Sequence, residues 1–219
     1  MSSIESIVSR EYDFNLGQYL GRGFEIFKAF ALPFVGFTLL VVLISAALSF
    51  LLPAPLGSGE EGGGNLVSNI ISPILGAGYY IVAFQIARNR PASFGDFFKG
   101  FNRFLPIFLL SLVSGLLTVV GLILLIIPGI YLAVAYSFGL PLLLDKGIDF
   151  WPALETSRQL ISKKWFSFFL FMIVLVLINI GGILLVGVGL LVTIPWSVCS
   201  IAAAYEDIVG LNSVADAAV

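Results

Sequence analysis

Residues 105–144 read LPIFLLSLVSGLLTVVGLILLIIPGIYLAVAYSFGLPLLL, forty positions without one charged side chain. At about 1.5 Å of rise per residue, a single helix of that length would be about 60 Å long, twice the ~30 Å hydrocarbon thickness of a bilayer. The stretch must therefore fold back, and Pro128-Gly129 is the strong helix breaker near its middle. A tight apolar turn is expected there, at the outer interface beside Tyr131. Residues 165–205 repeat the arithmetic with forty-one positions, and Gly187-Val188-Gly189, followed by Pro195, marks their turn. Upstream, Ala29–Leu52 and Leu66–Ala87 are each long enough for one crossing. Between them lies Pro53–Asn65, rich in Gly, Pro and Ser, which reads as a flexible polar loop.

The bases give the orientation. Arg10, Arg22 and Lys28 precede the first apolar run. Arg88, Arg90, Lys99 and Arg103 follow the second, and Lys146, Arg158, Lys163 and Lys164 follow the fourth. The connections in between and the C-terminal tail carry no Lys or Arg. That alternation is the positive-inside pattern, and it predicts six spans with both termini in the cytoplasm. The composition agrees: 59% of residues are hydrophobic and 11% charged, against roughly 25% charged in soluble proteins. Mean hydropathy is +1.06. Met1–Lys28 is polar and of mixed charge, which is not the pattern of a signal peptide.

Each apolar block follows an amphipathic stretch. In the first, Leu16, Tyr19, Leu20, Gly23, Phe24 and Phe27 oppose Asn15, Gln18, Arg22 and Glu25. In the second, Phe94, Phe97, Phe98, Phe101 and Phe104 oppose Asp96, Lys99, Asn102 and Arg103, and Ser93 with Asp96 makes a capping-box start. In the third, Trp151, Leu154, Ile161 and Trp165 oppose Glu155, Gln159 and Lys163, with Asp149 as N-cap. Such faces mark helices lying at a membrane interface. The expected fold is one all-α polytopic membrane domain over residues 1–219. It has six transmembrane helices in three hairpins, each preceded by a cytoplasmic interfacial helix, in units 14–87, 93–144 and 150–207.

Four segments carry a family likeness: Phe94-Gly-Asp-Phe-Phe-Lys-Gly-Phe101, Ile127-Pro-Gly-Ile-Tyr131 with Pro141 beyond it, Ala153-Leu-Glu-Thr-Ser-Arg158, and Pro195 followed by Ala-Ala-Ala-Tyr205-Glu-Asp. Together they resemble bacterial multi-pass proteins related to the membrane domain of glycerophosphoryl diester phosphodiesterase, the YciC-like proteins among them. The resemblance implies an inner-membrane location and a fold of six or more helices. It implies no established chemistry, because the soluble catalytic domain of the phosphodiesterase has no counterpart here.

The chemistry-bearing residues are few. The sequence has no His and one Cys, Cys199, so no zinc, haem or iron–sulfur ligand set can form, and no cofactor is expected. No ionisable group falls inside an expected span, which argues against a proton relay or charged-substrate channel. Asn179 is the most deeply placed strong polar side chain; an interhelical hydrogen bond is its plain reading and a substrate contact the sharper one. The glycines Gly76, Gly78, Gly115, Gly121, Gly181, Gly182, Gly187 and Gly189 suggest close helix packing. Asp145, Asp149, Glu206 and Asp207 fall at the cytoplasmic edge, either as helix ends paired with Arg88, Arg158 or Lys163, or as ligands for a divalent ion. The bases Arg88, Arg90, Lys99, Arg103, Arg158, Lys163 and Lys164 either fix topology or contact lipid headgroups or a partner.

With no nucleophile beside a tuned acid or base, the expectation is a non-enzymatic inner-membrane scaffold, assembly factor or accessory subunit. It would act on membrane lipids and on other membrane proteins or itself, not on nucleic acid. A transporter or flippase for an apolar or amphipathic molecule is the alternative, and a lipid-modifying enzyme using the edge acids is the third reading.

Overall fold

The structure is a computed structural model that describes residues 2–51, 63–185 and 187–211. Over those residues it is helical, without strands: α1 (Ser2–Ser9), α2 (Leu16–Ala29), α3 (Ala31–Leu51), α4 (Gly63–Ala87), a 3₁₀ helix (Phe94–Arg103), α5 (Phe104–Leu124), α6 (Ile126–Ala135), α7 (Gly139–Lys146), α8 (Phe150–Ser162), α9 (Trp165–Leu184) and α10 (Leu190–Ile208). Five segments are long and apolar enough to cross a membrane: Ala31–Leu48, Ile70–Ala87, Phe94–Leu124, Ile126–Lys146 and Trp165–Leu184. The expected loop Pro53–Asn65 lies mostly outside the described residues. Its last three positions, Gly63 to Asn65, belong to α4 rather than to a loop.

Proline sets the helix boundaries by one rule. Pro33, Pro106, Pro128, Pro141 and Pro152 are each the third residue of a helix: α3, α5, α6, α7 and α8. A helix leaves its first four N–H groups without intrahelical partners, so a residue lacking one is free of cost there. The same ring clashes with the carbonyl four residues earlier and disfavours a helix that runs through, although Pro73 in α4 and Pro195 in α10 stand inside continuous helices. This corrects the expected turn at Pro128-Gly129. Those two residues are inside α6, and the break falls at Leu125, whose extended backbone (φ −157°, ψ 132°) follows directly on Leu124, four positions before Pro128. Pro141 acts likewise on Ser137, so the fourth expected span is two helices, α6 and α7, parted at Tyr136–Phe138. The third turn is placed as expected: α9 ends at Leu184, α10 begins at Leu190, and Gly187 takes the left-handed conformation (φ +76°) that glycine adopts without strain.

The three amphipathic stretches are helices, as their periodicity requires. Asn15 caps α2 by accepting from the Gln18 N–H at 3.1 Å, and Ser93 and Asp96 form the capping box. Their apolar faces turn into protein. Tyr19, Ile26 and Phe27 of α2, Phe97 of the 3₁₀ helix, and Leu154 and Ile161 of α8 are buried, whereas Phe94, Phe101 and Trp151 keep an exposed edge.

The partners follow a cyclic order. The 3₁₀ helix lies on α4, the second helix of the pair before it; α8 lies on α6 and α7, the second members of their pair; and α2 lies on α10, which closes the ring. The first helices repeat the order, α5 against α4, α9 against α6 and α3 against α10. Small residues permit each joint. A Cβ on Gly23 would sit 2.5 Å from Ser200 Cα, one on Gly100 2.6 Å from the Ile74 carbonyl, and one on Gly78 would overlap the Phe97 carbonyl. At the α8 joint the Ser157 hydroxyl accepts from the Phe138 N–H (3.0 Å) and donates to the Ala135 carbonyl (2.6 Å), which satisfies the broken ends of α6 and α7.

Of the glycines expected to serve packing, Gly78, Gly121, Gly182 and Gly189 make close approaches, while Gly76, Gly115 and Gly181 face open space. Gly78→Ala should therefore lower the unfolding midpoint in detergent by an amount typical of overpacked cores, about 1–3 kcal/mol. Gly76→Ala, two residues away, should leave it unchanged or raise it. A thermal-shift series on the two variants checks the contrast.

Candidate functional site

The C-terminal ends of α4, α7 and α10 meet at one carboxylate. Asp145, in the last turn of α7, has a side chain with no exposure to solvent. Its Oδ1 accepts from the Arg88 guanidinium, which stands just past the end of α4. Its Oδ2 accepts from the Tyr205 hydroxyl of α10 at 3.0 Å and pairs with Lys146 Nζ at 2.9 Å. Lys146 also donates to the Gly210 carbonyl at 2.8 Å, and Arg103 donates to the Leu143 carbonyl at 3.2 Å. Gly147 and Gly210, both at positive φ (64° and 79°), end α7 and follow α10; each turn would strain any residue with a Cβ. Around the polar centre, the Tyr205 ring packs 5.4 Å from Phe84 and 5.5 Å from Phe138. Both carboxylate oxygens hold partners from other parts of the chain, so this junction ties helices together.

A second polar region lies between α2 and α10, an open cleft of about 610 Å³ lined by Gln18, Tyr19, Arg22, Glu25, Glu206 and Asp207. Arg22 reaches Glu206 at 3.3 Å through Nε and Nη2, and Glu25 at 3.4 Å. The Glu206 contact is the main reason its guanidinium pKa is raised. The Tyr19 hydroxyl donates to Asp207 at 2.9 Å. Burial first, and then this bond, pushes its phenol far above the usual range, so it holds its proton and serves as a donor. Asp145 thus meets Arg88, one of the partners expected for the edge acids, whereas Glu206 and Asp207 meet Arg22 and Tyr19, which were not. Asp149 stands at the N-cap position of α8 without a side-chain bond. Among the described residues no three His, Cys, Asp or Glu side chains converge as a metal site would require.

The bases singled out in the sequence divide into two groups. Arg88 and Arg103 serve the junction. Lys99 pairs with Asp96 at 3.0 Å, Arg158 with Glu155 at 2.6 Å, Lys164 with Asp13 at 3.3 Å, and Lys163 donates to the Arg10 carbonyl at 3.0 Å. Arg90 is exposed. Exposed pairs of this kind are worth only ~0–1 kcal/mol, and headgroups can compete for them. The hydrogen bond from Arg158 lowers the Glu155 carboxyl pKa. Asn179 makes the interhelical bond: its amide donates to Ser197 Oγ on α10 at 2.8 Å and to the Leu175 carbonyl at 2.8 Å.

Sequence reasoning missed Tyr205, Ser157 and Tyr19 as working polar groups. Tyr205 and Ser157 stood inside quoted motifs, and their signal is position: both fall where one unit must meet another. No family model, characterised protein or solved structure matches the chain.

Removing one partner of a buried ion pair strands the other, typically at a cost of about 3–5 kcal/mol. Asp145→Ala should cost on that order in thermal or denaturant unfolding, and Arg88→Met combined with Asp145→Leu should recover much of it. A double-mutant cycle with no coupling between the two positions would mean that the junction does not hold the helices.

Proposed function

We propose that the chain is an integral protein of the bacterial inner membrane that works without catalysis, as a scaffold, assembly factor or accessory subunit, through contacts with lipid and with other membrane proteins. It crosses six times, as three hairpins entered from the cytoplasm, with both termini inside. The sixth crossing is α10, nineteen residues long, which closes on Glu206 and Asp207 at its inner end. The likeness to YciC-like proteins supports the same reading.

One observation carries the proposal. Highly exposed large apolar residues cluster at the helix ends opposite the ion-paired junction, with Phe50 and Leu51 at the end of α3, Ile123 to Ile127 across the α5–α6 turn, and Leu184, Leu185 and Val188 at the α9–α10 turn, while Leu32, Leu105 and Phe166 are exposed in the first turns of α3, α5 and α9. An apolar surface of this extent marks contact with lipid or protein partners. Among the described residues the ion pairs of Glu206 and Asp145 lie at the other ends.

A transporter or flippase is the second reading. Its specific support is the broken helix α6–α7 inside a candidate span, because interrupted helices commonly line transport sites.

Two measurements test these readings. In a Cys199→Ala background, single cysteines at Ser58 and at Lys99 should label from opposite faces of inverted and right-side-out vesicles, Ser58 from outside. Labelling from the same face would defeat the six-span topology. Purified protein in liposomes should not speed exchange of fluorescent phospholipid between leaflets; rapid exchange would favour the flippase.

A further inference from the structure

An interfacial helix lies across the end of a span, and α8 does not. It runs antiparallel to α7 and then α6. Leu154 packs on Gly139, Ser157 bonds the Phe138 N–H and the Ala135 carbonyl, and Ser162 meets the Tyr131 hydroxyl at 2.6 Å. Trp165, just past α8, donates to the Tyr131 carbonyl at 3.3 Å. α5 keeps the same axis: Arg103 reaches the Leu143 carbonyl, Leu110 packs on Gly139, and Leu122 on Gly129. The candidate span Ile126–Lys146 is thus flanked by α8 from its Lys146 end as far as Tyr131. At ~1.5 Å per residue, that is about 21 Å of a rod about 32 Å long. Only about 9 Å of helix remain between Tyr131 and the break at Leu125.

The far end of α8 is charged and open. Lys163 lies 3.9 Å from Glu11 and Lys164 3.3 Å from Asp13, and the two carboxylate side chains are almost wholly exposed. Along the helix, the side chains of Glu155 and Arg158 are each more than a third exposed, and Gln159 is exposed beside them. Hydrocarbon cannot surround such groups cheaply. Trp151 stands exposed at one end of α8 and Trp165 half-buried past the other; indoles favour headgroup level, and here they mark it at both ends of one helix. α5 differs at the same height. Its residues Gly115 to Val119 face Ala133 and Tyr136, and the exposed large side chains there are Leu116 and Val119. One flank of the hairpin is therefore charged where the other is apolar.

We propose that α8 is a headgroup-bearing edge, which draws the phosphates of the cytoplasmic leaflet in along the second hairpin as far as Tyr131 and so thins the bilayer on that flank. The partner is the phospholipid surface itself, met by Arg158, Lys163 and Lys164, since bases at the inner surface attract anionic lipid. Between Tyr131 and the break at Leu125 the hairpin offers about 9 Å of helix, against ~30 Å of hydrocarbon in an undisturbed bilayer. A bilayer meets a short apolar span by local thinning. The inference rests on the membrane placement proposed above, and it names where lipid contact reshapes the bilayer.

Depth measured along the hairpin tests this. In the Cys199→Ala background the full chain carries one spin label at a time, in liposomes of mixed phosphatidylethanolamine and phosphatidylglycerol. Gln159→Cys on α8 and Leu116→Cys on α5 stand at nearly the same height. Ser162→Cys and Val119→Cys form a second such pair, to be used if the first does not fold. Ile127→Cys marks the turn. Power saturation compares collisions with a water-soluble nickel chelate and with oxygen, which concentrates in hydrocarbon. The α8 label should meet nickel more than oxygen and the α5 label the reverse, so that the ratio inverts between two positions at one height. The Ile127 label should also favour nickel. Oxygen-dominated collisions on α8 would overturn the headgroup edge and leave the six-span reading standing. An oxygen-dominated Ile127 would mean that the hairpin stops inside the membrane, which overturns the thinning and the six-span reading together. Nickel-dominated collisions on α5 as well would take the hairpin out of hydrocarbon and overturn both.

Discussion

A buried carboxylate with two cations around it is an expensive thing to build into a protein interior, and here it dictates how three helix pairs meet. Asp145 supplies the anion, Arg88 and Lys146 the cations, and Tyr205 the neutral donor. Each of the three helix pairs contributes at least one of these groups. An apolar cluster of the same volume would hold the helices as firmly or more so, but it would tolerate sliding and rotation; a carboxylate with both oxygens engaged accepts few geometries. The cyclic packing depends on that restriction. Every amphipathic helix lies on the second helix of the pair before it, and the second helices converge at their C-terminal ends.

How much of this was legible in the sequence depended on what kind of signal each feature leaves. Long uncharged runs announced the apolar helices, and the periodic faces announced α2, the 3₁₀ helix and α8. The break in the second block was read as lying at Pro128-Gly129 itself, whereas it lies three residues earlier, at Leu125. The reason is directional: proline spoils the hydrogen bond to the residue four before it and fits well in a first turn. Read this way, Pro128 places the break at Leu125, and Pro141 divides a span that hydropathy alone leaves whole. Hydropathy sums side chains and is blind to one missing N–H.

The candidate site was legible in its residue types and not in its pairings. The clustered bases were correctly placed between apolar blocks, but charge distribution reports the side of a membrane and says nothing of which base meets which acid. Arg88 and Lys99 look equivalent in sequence. One closes on a fully buried carboxylate from another helix pair, and the other on Asp96, three residues away. Arg88 was among the partners expected for Asp145, but a long-range pair such as Arg22–Glu206 leaves no trace in local spacing. Asn179 was readable because the middle of an apolar helix leaves an amide little except a neighbouring helix to bond with.

The cyclic order has a consequence for how the chain assembles. The joints of the 3₁₀ helix and of α8 are local, since each partner has already been made when the helix appears. The joint of α2 with α10 brings together the first long helix and the last. Tyr19 and Phe27 already have nearby rings in Phe14 and Phe34, but Gly23 seats against Ser200, and Arg22 reaches Glu206, only when α10 is in place. An amphipathic pattern suits an interfacial helix, and here the apolar face of α2 is spent on packing inside the protein.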